Sequence, residues 1–316
     1  MISQDLMAPI MFGGLIVFLL IGYPAAFSLG AVGLFFSFIG IEMGMFQPTF
    51  LQALPDRVFG ILSNDLLLSI PFFTFMGAIL EKCGLAEDML EGLGQLFGPI
   101  RGGLAYAVII VGAILGAITG TVAASVIAMG LISLPVMLRY GYNPRVATGV
   151  IAASGTITQL IPPSLVLIVL ADQLGKSVGD MYAGAIGPSI IQIVLFCLFI
   201  FFLSIFRPQD VPALPPEARP KIDWKLFKKI LWGIVPSIAL IFLVLGTILM
   251  GLATPTEGGA MGSVGALVLA AMNKRLQKTL VWDAMTSTMR INAMVIFILI
   301  GSTVFGLAFR GVDGDL

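Results

Sequence analysis

The sequence contains no histidine, and only 11% of its 316 residues are charged. Without histidine the chain cannot form a catalytic triad with an imidazole base, an HExxH zinc site or a histidine-ligated haem site. Its two cysteines, Cys83 and Cys197, match neither a disulfide framework nor a metal-binding spacing, so we interpret both as small apolar residues. Seventeen basic residues balance seventeen acidic ones, which argues against a nucleic-acid partner.

Apolar residues dominate the composition. They make up 58% of the chain, and the mean hydropathy is +1.05, far above the range of ordinary soluble domains. Because many apolar runs are long enough to span a bilayer as helices, we predict an all-α polytopic membrane protein. A cleavable signal sequence is not expected, since residues 1–7 contain Asp5 but no lysine or arginine, and the apolar run that follows is too long for a signal segment.

Residues 154–164 interrupt an apolar stretch, 146–171, that would otherwise form one membrane helix. Pro162 and Pro163 remove two consecutive backbone donors and clash with the preceding turn, so the helix should break there. Freed carbonyls and amides within a membrane are tolerated only when they are buried in protein or line a watery cavity. Broken helices of this kind bind ions and substrates in secondary transporters. The alternative is a structural proline kink whose free backbone groups are satisfied by serine and threonine.

Other apolar runs predict further helices on either side of this segment. Residues 45–64 are more polar and should form a surface connection. Residues 66–80 are too few to cross the bilayer without tilt or thinning, which suggests that they form one arm of a re-entrant hairpin. Residues 81–101 carry charges at amphipathic spacing, as an interfacial helix would. The predicted spans are two within 8–40, two within 104–138, and one each at 183–206, 230–252, 260–272 and 291–309.

Basic loops indicate the orientation of the chain in the membrane. Residues 207–229 form a proline-rich, hydrophilic linker with six basic side chains, which the positive-inside rule places in the cytoplasm. Two crossings later, Lys274, Arg275 and Lys278 form a second basic cluster. Both clusters then lie on the same side, so the predicted topology is consistent.

Small residues recur every four positions at Gly112, Gly116, Gly120, Ala124 and Ala128. Such a stripe allows helix backbones to approach closely, and packing is its favoured role. The hydroxyls beside it at residues 119, 121 and 125 could instead line a cavity.

Glu257 lies near the boundary of a predicted span, where an acidic residue is costly and commonly functional. The run Thr254-Pro255-Thr256-Glu257 is also a helix start, with Thr254 as the N-cap and Glu257 as its capping-box partner. We favour the capping interpretation over a proton or cation role.

Four motifs in this order resemble those of a known transporter family. The chain is similar over its whole length to the DctM-like large membrane subunit of tripartite ATP-independent periplasmic (TRAP) transporters. The motifs are Ser69-Ile70-Pro71-Phe72-Phe73 with Gly77, then Gly120-Thr121-Val122-Ala123-Ala124-Ser125, then Gly155-Thr156 with Ile161-Pro162-Pro163-Ser164, and finally Ala253-Thr254-Pro255-Thr256-Glu257.

The resemblance implies a sodium-driven importer of organic acids, for example a C4-dicarboxylate, in the bacterial inner membrane. It implies two partners, a small four-helix membrane subunit and a periplasmic substrate-binding protein, and sodium rather than a bound cofactor. The implied sodium contacts are Gly155, Thr156 and Ser164. The wider set of implied sodium or substrate contacts adds Thr158, Gln159, Pro162, Pro163, Ser69, Gly120, Thr121 and Ser125.

The resemblance also implies an elevator-type fold with two inverted repeats, each holding scaffold helices, a re-entrant hairpin and a broken helix. Residues 1–206 would form the first repeat, 207–229 the linker and 230–316 the start of the second. The second hairpin and second broken helix would follow Phe309 and are not present, so the expectation is a C-terminally truncated second repeat that is inactive alone.

Two other functions are weighed against this one. A stand-alone elevator-type sodium/anion symporter would need no binding protein, so dependence on such a partner separates the two. An intramembrane protease fits poorly, because the serines have no histidine and Asp172 and Asp180 lack a second intramembrane aspartate to pair with. We therefore expect a transporter and not an enzyme.

Overall fold

The computed structural model describes residues 4–45, 47–119, 122–215, 217, 224–312 and 314. Every regular element in these ranges is helical, which agrees with the predicted all-α class. Short 3₁₀ turns occupy Pro48–Ala53 and Ile157–Gln159. The helices are α1 Gln4–Ile21, α2 Ala25–Glu42, α3 Leu54–Leu62, α4 Ser69–Lys82, α5 Leu85–Leu96, α6 Gly103–Thr119, α7 Val122–Arg139, α8 Pro144–Thr156, α9 Leu165–Leu174, α10 Val178–Phe206, α11 Trp224–Leu249, α12 Pro255–Met272 and α13 Lys278–Gly311.

Within the described ranges, α2, α10 and α13 are each long and apolar enough to cross a membrane. α4 together with Glu87–Leu96 would make a fourth span, bent by 59°, if the pair is one crossing. α10 has 29 residues and leaves bulky apolar side chains such as Ile191, Leu195 and Phe199 exposed. Apolar surface of this extent is typical of contact with lipid or with another protein. These features confirm a polytopic membrane protein.

One compact unit contains the residues up to Asp65 together with those from Met289 onward. Gly22, at a φ of +96°, and Pro24 separate α1 from α2, as the two-helix prediction for 8–40 required. α2 lies directly against α13, because a Cβ on Gly33 would come within 2.9 Å of the Phe305 backbone. The core of this unit includes Met7, Met11, Leu15, Val32, Phe36, Phe305 and Ala308.

The second compact unit runs from Leu66 to Thr288. Its helices α4 and α12 pack closely because α12 presents glycines to its neighbour: a Cβ on Gly259 would lie 2.9 Å from the Cβ of Phe72. The Ser263 hydroxyl donates to the Phe72 carbonyl over 2.8 Å and ties the same two helices together. A separate core in this unit lies around α6, with Val108, Ile109, Val111 and Leu115 buried.

Residues 66–80, most of which form α4, were predicted as one arm of a re-entrant hairpin, and residues 81–101, which include α5, as an interfacial amphipathic helix. The amphipathic character of α5 is confirmed, because Met89 and Leu93 are buried whereas Glu87 and Glu91 are exposed. α5 packs against α6 and α11. The assignment of about 66–80 as a re-entrant arm stays a prediction, as does the division into inverted repeats.

The hydrophilic linker is shorter than the predicted range 207–229, because α11 begins at Trp224. The sequence from 224 to 232 holds no proline or glycine, so nothing local stops the helix from extending into the basic segment. Backbone hydrogen bonds connect the first part of the linker to the rest of the protein. The Gly102 amide donates to the Val211 carbonyl over 3.0 Å, and the Leu214 amide donates to the Gly98 carbonyl over 2.9 Å. The Asn143 amide donates to the Asp210 carbonyl in the same way.

The last helix, α13, starts at Lys278 and not near residue 291 as the apolar pattern suggested. Its 34 residues correspond to about 51 Å at 1.5 Å per residue, well beyond the hydrocarbon thickness of about 30 Å. The polar first turns were missed because a hydropathy pattern detects only the apolar part of a helix. α13 therefore combines a polar beginning with a membrane span.

The capping interpretation of Glu257 is confirmed. The Thr254 amide donates to Glu257 Oε2 over 2.8 Å, and the Glu257 amide donates to Thr254 Oγ1 over 3.2 Å. Glu257 is solvent-exposed, so its carboxylate does not sit in a buried ion site. The acidic side chain begins α12 and satisfies amides that a helix start leaves free.

We expect Thr254→Ala to lower the free energy of unfolding by about 1 kcal/mol, the usual cost of losing an N-cap. Glu257→Gln serves as the matched variant, because glutamine preserves the capping box while the charge is removed. Thermal melting of the purified chain should show a lower Tm for Thr254→Ala and little change for Glu257→Gln. A loss of transport in Glu257→Gln at unchanged Tm would contradict the purely structural role.

Candidate functional site

The predicted helix break is present and lies between α8 and α9. α8 ends at Thr156, a single 3₁₀ turn follows at Ile157–Gln159, and regular helix resumes only at Leu165. Asn143 and Pro144 set the other end of α8, since the Asn143 side chain accepts from the Arg145 amide over 3.0 Å and caps the helix. The break therefore follows from local residues, as the prolines predicted.

Hydroxyl groups satisfy carbonyls that the break leaves without helical partners. Thr158 Oγ1 donates to the Gly155 carbonyl over 2.7 Å, and Ser164 Oγ donates to the Gln159 carbonyl over 2.6 Å. The Ser189 hydroxyl on α10 lies 2.7 Å from the Ala185 carbonyl of its own helix and also 3.1 Å from the Leu160 carbonyl. Thr158 and Ser164 are fully buried. The irregular backbone is thus held inside protein, which is the condition for such backbone at membrane depth.

Two glycines of α6 allow its backbone to lie directly against the broken helix. A Cβ on Gly112 would come within 2.7 Å of Ser154 Cβ, and one on Gly116 within 2.6 Å of Thr158 Cα. Real Cβ atoms do not approach other atoms this closely, so only glycine fits at these positions without movement. The packing role favoured for the small-residue stripe is confirmed at these two residues.

Gly155, one of the predicted sodium contacts, makes a close approach of its own. A Cβ at this position would overlap the side chain of Val126 on α7, and it would lie 3.2 Å from the Val126 Cα. The glycine is buried, and its carbonyl accepts the hydrogen bond from Thr158. Packing against α7 therefore explains why glycine stands here, and its role as a sodium contact stays a prediction.

The predicted site residues of the break fall into a buried set and an exposed set. The side chains of Thr156 and Gln159 are exposed, and Thr156 Oγ1 donates to the Ala153 carbonyl over 2.7 Å. A hydroxyl that donates its proton keeps its lone pairs, so its oxygen can still bind a hard cation. The buried set contains Gly155, Thr158, Pro162, Pro163 and Ser164.

Of the remaining predicted contacts, the structure describes Ser69 and Ser125, which lie on different helices. Ser69 is the first residue of α4, is fully buried, and donates to the Leu66 carbonyl over 2.6 Å. α4, the helix that carries the first motif, packs against α9, the second half of the broken helix. Ser125 is buried on α7, next to the Val126 that meets Gly155. Gly120 and Thr121 lie outside the described residues.

Sequence reasoning included Ser154 in the interrupted stretch without assigning it a role, and it missed Ser189. Ser154 is buried against Gly112, and its hydroxyl donates to the Ile151 carbonyl over 2.9 Å. Ser189 follows Pro188 inside the long apolar helix α10. A polar residue next to a proline in an otherwise apolar span is a signal that could have drawn attention to it.

In the part of the chain that the structure describes, no group of three or more Cys, Asp or Glu side chains could hold a metal ion. Both cysteines are free. The oxygens available at the break are instead carbonyls, hydroxyls and one amide side chain, and such ligands suit a hard monovalent or divalent cation.

Comparison with known proteins matches this chain to one family. The family model described as "Tripartite ATP-independent periplasmic transporter, DctM component" matches residues 12–314. The chain is 30% identical over 263 residues to the C4-dicarboxylate TRAP transporter large permease protein DctM of Pseudomonas aeruginosa, covering 83% of this chain and 60% of that protein.

Two further relatives extend over nearly the whole chain. The C4-dicarboxylate TRAP transporter large permease protein DctM of Rhodobacter capsulatus is 29% identical, with 98% of this chain and 71% of the relative covered. The ectoine/5-hydroxyectoine TRAP transporter large permease protein UehC of Ruegeria pomeroyi is 28% identical, with 97% and 68% covered. This chain spans about 60% of the length of the Pseudomonas protein. The family and these relatives are transport proteins, which confirms the expectation of a chain that is not an enzyme.

Proposed function

This chain belongs to the DctM component family of tripartite ATP-independent periplasmic transporters, and from that premise we propose that it acts in the large permease subunit of a sodium-coupled organic-acid importer. The proposed location is the bacterial inner membrane. The proposed partners are a small four-helix membrane subunit and a periplasmic protein that binds the substrate and delivers it. Two relatives are named for C4-dicarboxylates and one for ectoine and 5-hydroxyectoine, so a carboxylate is the proposed common feature of the substrate.

The broken helix α8–α9 is the observation that carries the proposal. Secondary transporters bind coupling cations with unwound carbonyls and half-helix C-termini, and α8 ends at Thr156 with carbonyl and hydroxyl oxygens around it. We assign the sodium contacts to the Gly155 carbonyl and to the Thr156 and Ser164 hydroxyls. Thr158 and Gln159 complete the set of neighbouring oxygens.

The second half-helix supports the proposed recognition of an anion. Ser164 stands at the N-cap of α9, but its hydroxyl donates to the Gln159 carbonyl and does not cap the α9 amides. Amides at a helix N-terminus favour a negatively charged group. A substrate carboxylate near this end would lie close to the sodium contacts, and this proximity would couple the binding of the two.

The membrane voltage would supply part of the driving force. Each sodium ion that moves inward through a potential of about 100 mV contributes roughly 2.3 kcal/mol from the voltage alone. Two or more ions would support considerable accumulation of substrate.

Reconstituted uptake tests the proposal. Proteoliposomes would contain the complete transporter that includes this chain, with or without the binding protein and with or without a sodium gradient, and would be offered a panel of labelled organic acids. Uptake that requires both the gradient and the binding protein is the expected result. Uptake that is unaffected by the binding protein would instead identify a stand-alone symporter, and uptake without sodium would overturn the proposed coupling.

A further inference from the structure

A basic cavity of about 440 Å³ lies where the ends of α4 and α12 meet the start of α13. Its charged walls are formed by Lys82, Lys274, Arg275 and Asp283, and Gln277 and Thr279 add polar groups. Three cationic side chains and one acidic side chain thus line the cavity, and a second carboxylate, that of Asp88, pairs with Arg275. The cavity lies far along the chain from the helix break, and no step of the proposed transport cycle uses it.

Arg275 fixes one wall of this cavity. Its Nη1 donates to the Cys83 carbonyl over 2.6 Å, and its Nη2 lies 3.0 Å from Asp88 Oδ2. The guanidinium group also covers Gly84, where a Cβ would collide with Nη1. These contacts tie the α4–α5 turn to the α12–α13 loop. Since a guanidinium group has five N–H donors, Arg275 can hold this position and still donate into the cavity.

Neighbouring groups hold the two lysines of the cavity less tightly than they hold Arg275. Lys82 Nζ lies 3.8 Å from Asp283 Oδ2, and the Asp283 side chain is 61% exposed. Such a long, solvated ion pair contributes little, so the ammonium group of Lys82 remains able to bind another anion. The Lys274 side chain lines the same cavity and is exposed.

The backbone at Lys274 adds a second, independent feature. Lys274 has a φ of 56°, and it is the only residue other than glycine with a positive φ in the described ranges. Its amide donates to the Ala271 carbonyl and the next amide donates to Ala270, which is the hydrogen-bond pattern of a Schellman motif. Glycine is the usual residue at this position because a Cβ is disfavoured there. The backbone therefore disfavours lysine at this position, and glycine would fit it with less strain.

The start of α13 also faces this cavity. At the start of α13, the helical i→i−4 hydrogen bonds begin with the Val281 amide. This amide donates to the Gln277 carbonyl over 3.2 Å. The preceding amides, at residues 278–280, are those that a helix start leaves for a cap or a ligand. Thr279 lines the cavity within this first turn. A helix N-terminus beside three cations is a suitable environment for a phosphate group.

We propose that this cavity binds the phosphate of an anionic phospholipid headgroup. Three large apolar side chains that are close in sequence to the cavity residues, Leu276, Trp282 and Met285, are 43%, 69% and 52% exposed. Trp282 is of the type that anchors helices at the membrane interface, and these side chains would contact the acyl chains. The basic loop 274–278 predicts that this end faces the cytoplasm, where anionic lipids meet juxtamembrane basic groups.

Lipid binding to the purified chain tests this site. The delipidated full 316-residue chain in detergent would be titrated with phosphatidylglycerol, with phosphatidylcholine and with inorganic phosphate, while native mass spectrometry counts retained lipid and thermal melting records the change in Tm. Phosphatidylglycerol is expected to bind and raise Tm, whereas phosphatidylcholine and free phosphate should have much weaker effects. Lys82→Gln and Lys274→Gly should each weaken phosphatidylglycerol binding about fivefold, the effect of one basic residue at a membrane surface.

Lys274→Gly separates the loss of charge from a loss of stability, because glycine suits the left-handed backbone. This variant should leave the lipid-free Tm unchanged or higher. Lys176→Ala is the matched control, since it removes one exposed positive charge from the α9–α10 loop. Phosphatidylglycerol binding that is unchanged in both cavity variants would overturn the proposal. Equal binding of phosphatidylcholine, or equal stabilisation by inorganic phosphate alone, would overturn the assignment to an anionic lipid.

Discussion

Gly116→Ala is expected to lower Tm by several degrees and to reduce uptake by the assembled transporter at least tenfold. The added Cβ would lie 2.6 Å from the Cα of Thr158, a backbone atom in the helix break, so no side chain can move aside to relieve the overlap. Overpacking of this kind typically costs about 1–3 kcal/mol. The break would be displaced together with the Thr158 hydrogen bond to the Gly155 carbonyl, and with it the proposed sodium contacts.

Gly149→Ala is the matched control for this prediction. Gly149 lies on α8, is exposed, and has no atom within 4 Å of an added Cβ. Alanine is the better helix former by about 1 kcal/mol, so this variant should melt at the same or a higher temperature and should transport normally. Equal melting temperatures and equal uptake for the two variants would show that α6 does not lie against the break.

Thr156→Val is expected to raise the sodium concentration for half-maximal uptake about tenfold, which corresponds to roughly 1.4 kcal/mol of lost binding. Valine preserves the shape of threonine but removes the exposed hydroxyl oxygen at the end of α8. The lost hydrogen bond runs to the Ala153 carbonyl within the same helix, so Tm should change by only a degree or two. Uptake at several sodium concentrations and thermal melting would measure the two effects.

Thr148→Val supplies the control for Thr156→Val. Thr148 is also exposed on α8, and its hydroxyl makes the same kind of bond, 2.8 Å to the Pro144 carbonyl. It lies eight residues, or about 12 Å, before Thr156 along the helix. Its replacement should leave sodium dependence unchanged. Identical sodium dependence in Thr156→Val and Thr148→Val would remove Thr156 from the proposed ion site.

Ends and breaks of helices were the most predictable part of the fold. The pair Pro162-Pro163 predicted the interruption between α8 and α9, and the capping box of Thr254 and Glu257 predicted the start of α12. Gly22 and Pro24 separate the two helices that were predicted within 8–40. These features depend on steric and hydrogen-bonding properties of a few adjacent residues, which the sequence contains in full.

Candidate site residues were predicted less completely. The motif residues of the break do come together, but their division into a buried set and the exposed pair Thr156 and Gln159 was not foreseen. Gly155 was expected as an ion contact and is also a packing residue against Val126. The contribution of Ser189 depends on how α10 lies beside the break, 29 residues further along the chain. No local pattern contains that information.

The sequence by itself determined the membrane class, the broken helix, the capped start of α12 and the family, because composition, proline chemistry and short motifs act over a few residues. Only the tertiary structure decided which glycines bring helices into contact, where the linker docks, and that Arg275 holds the turn after Cys83 over a separation of 192 residues. Such contacts depend on the relative positions of whole helices. Those positions result from many weak packing interactions summed over the fold, and no single stretch of sequence specifies them.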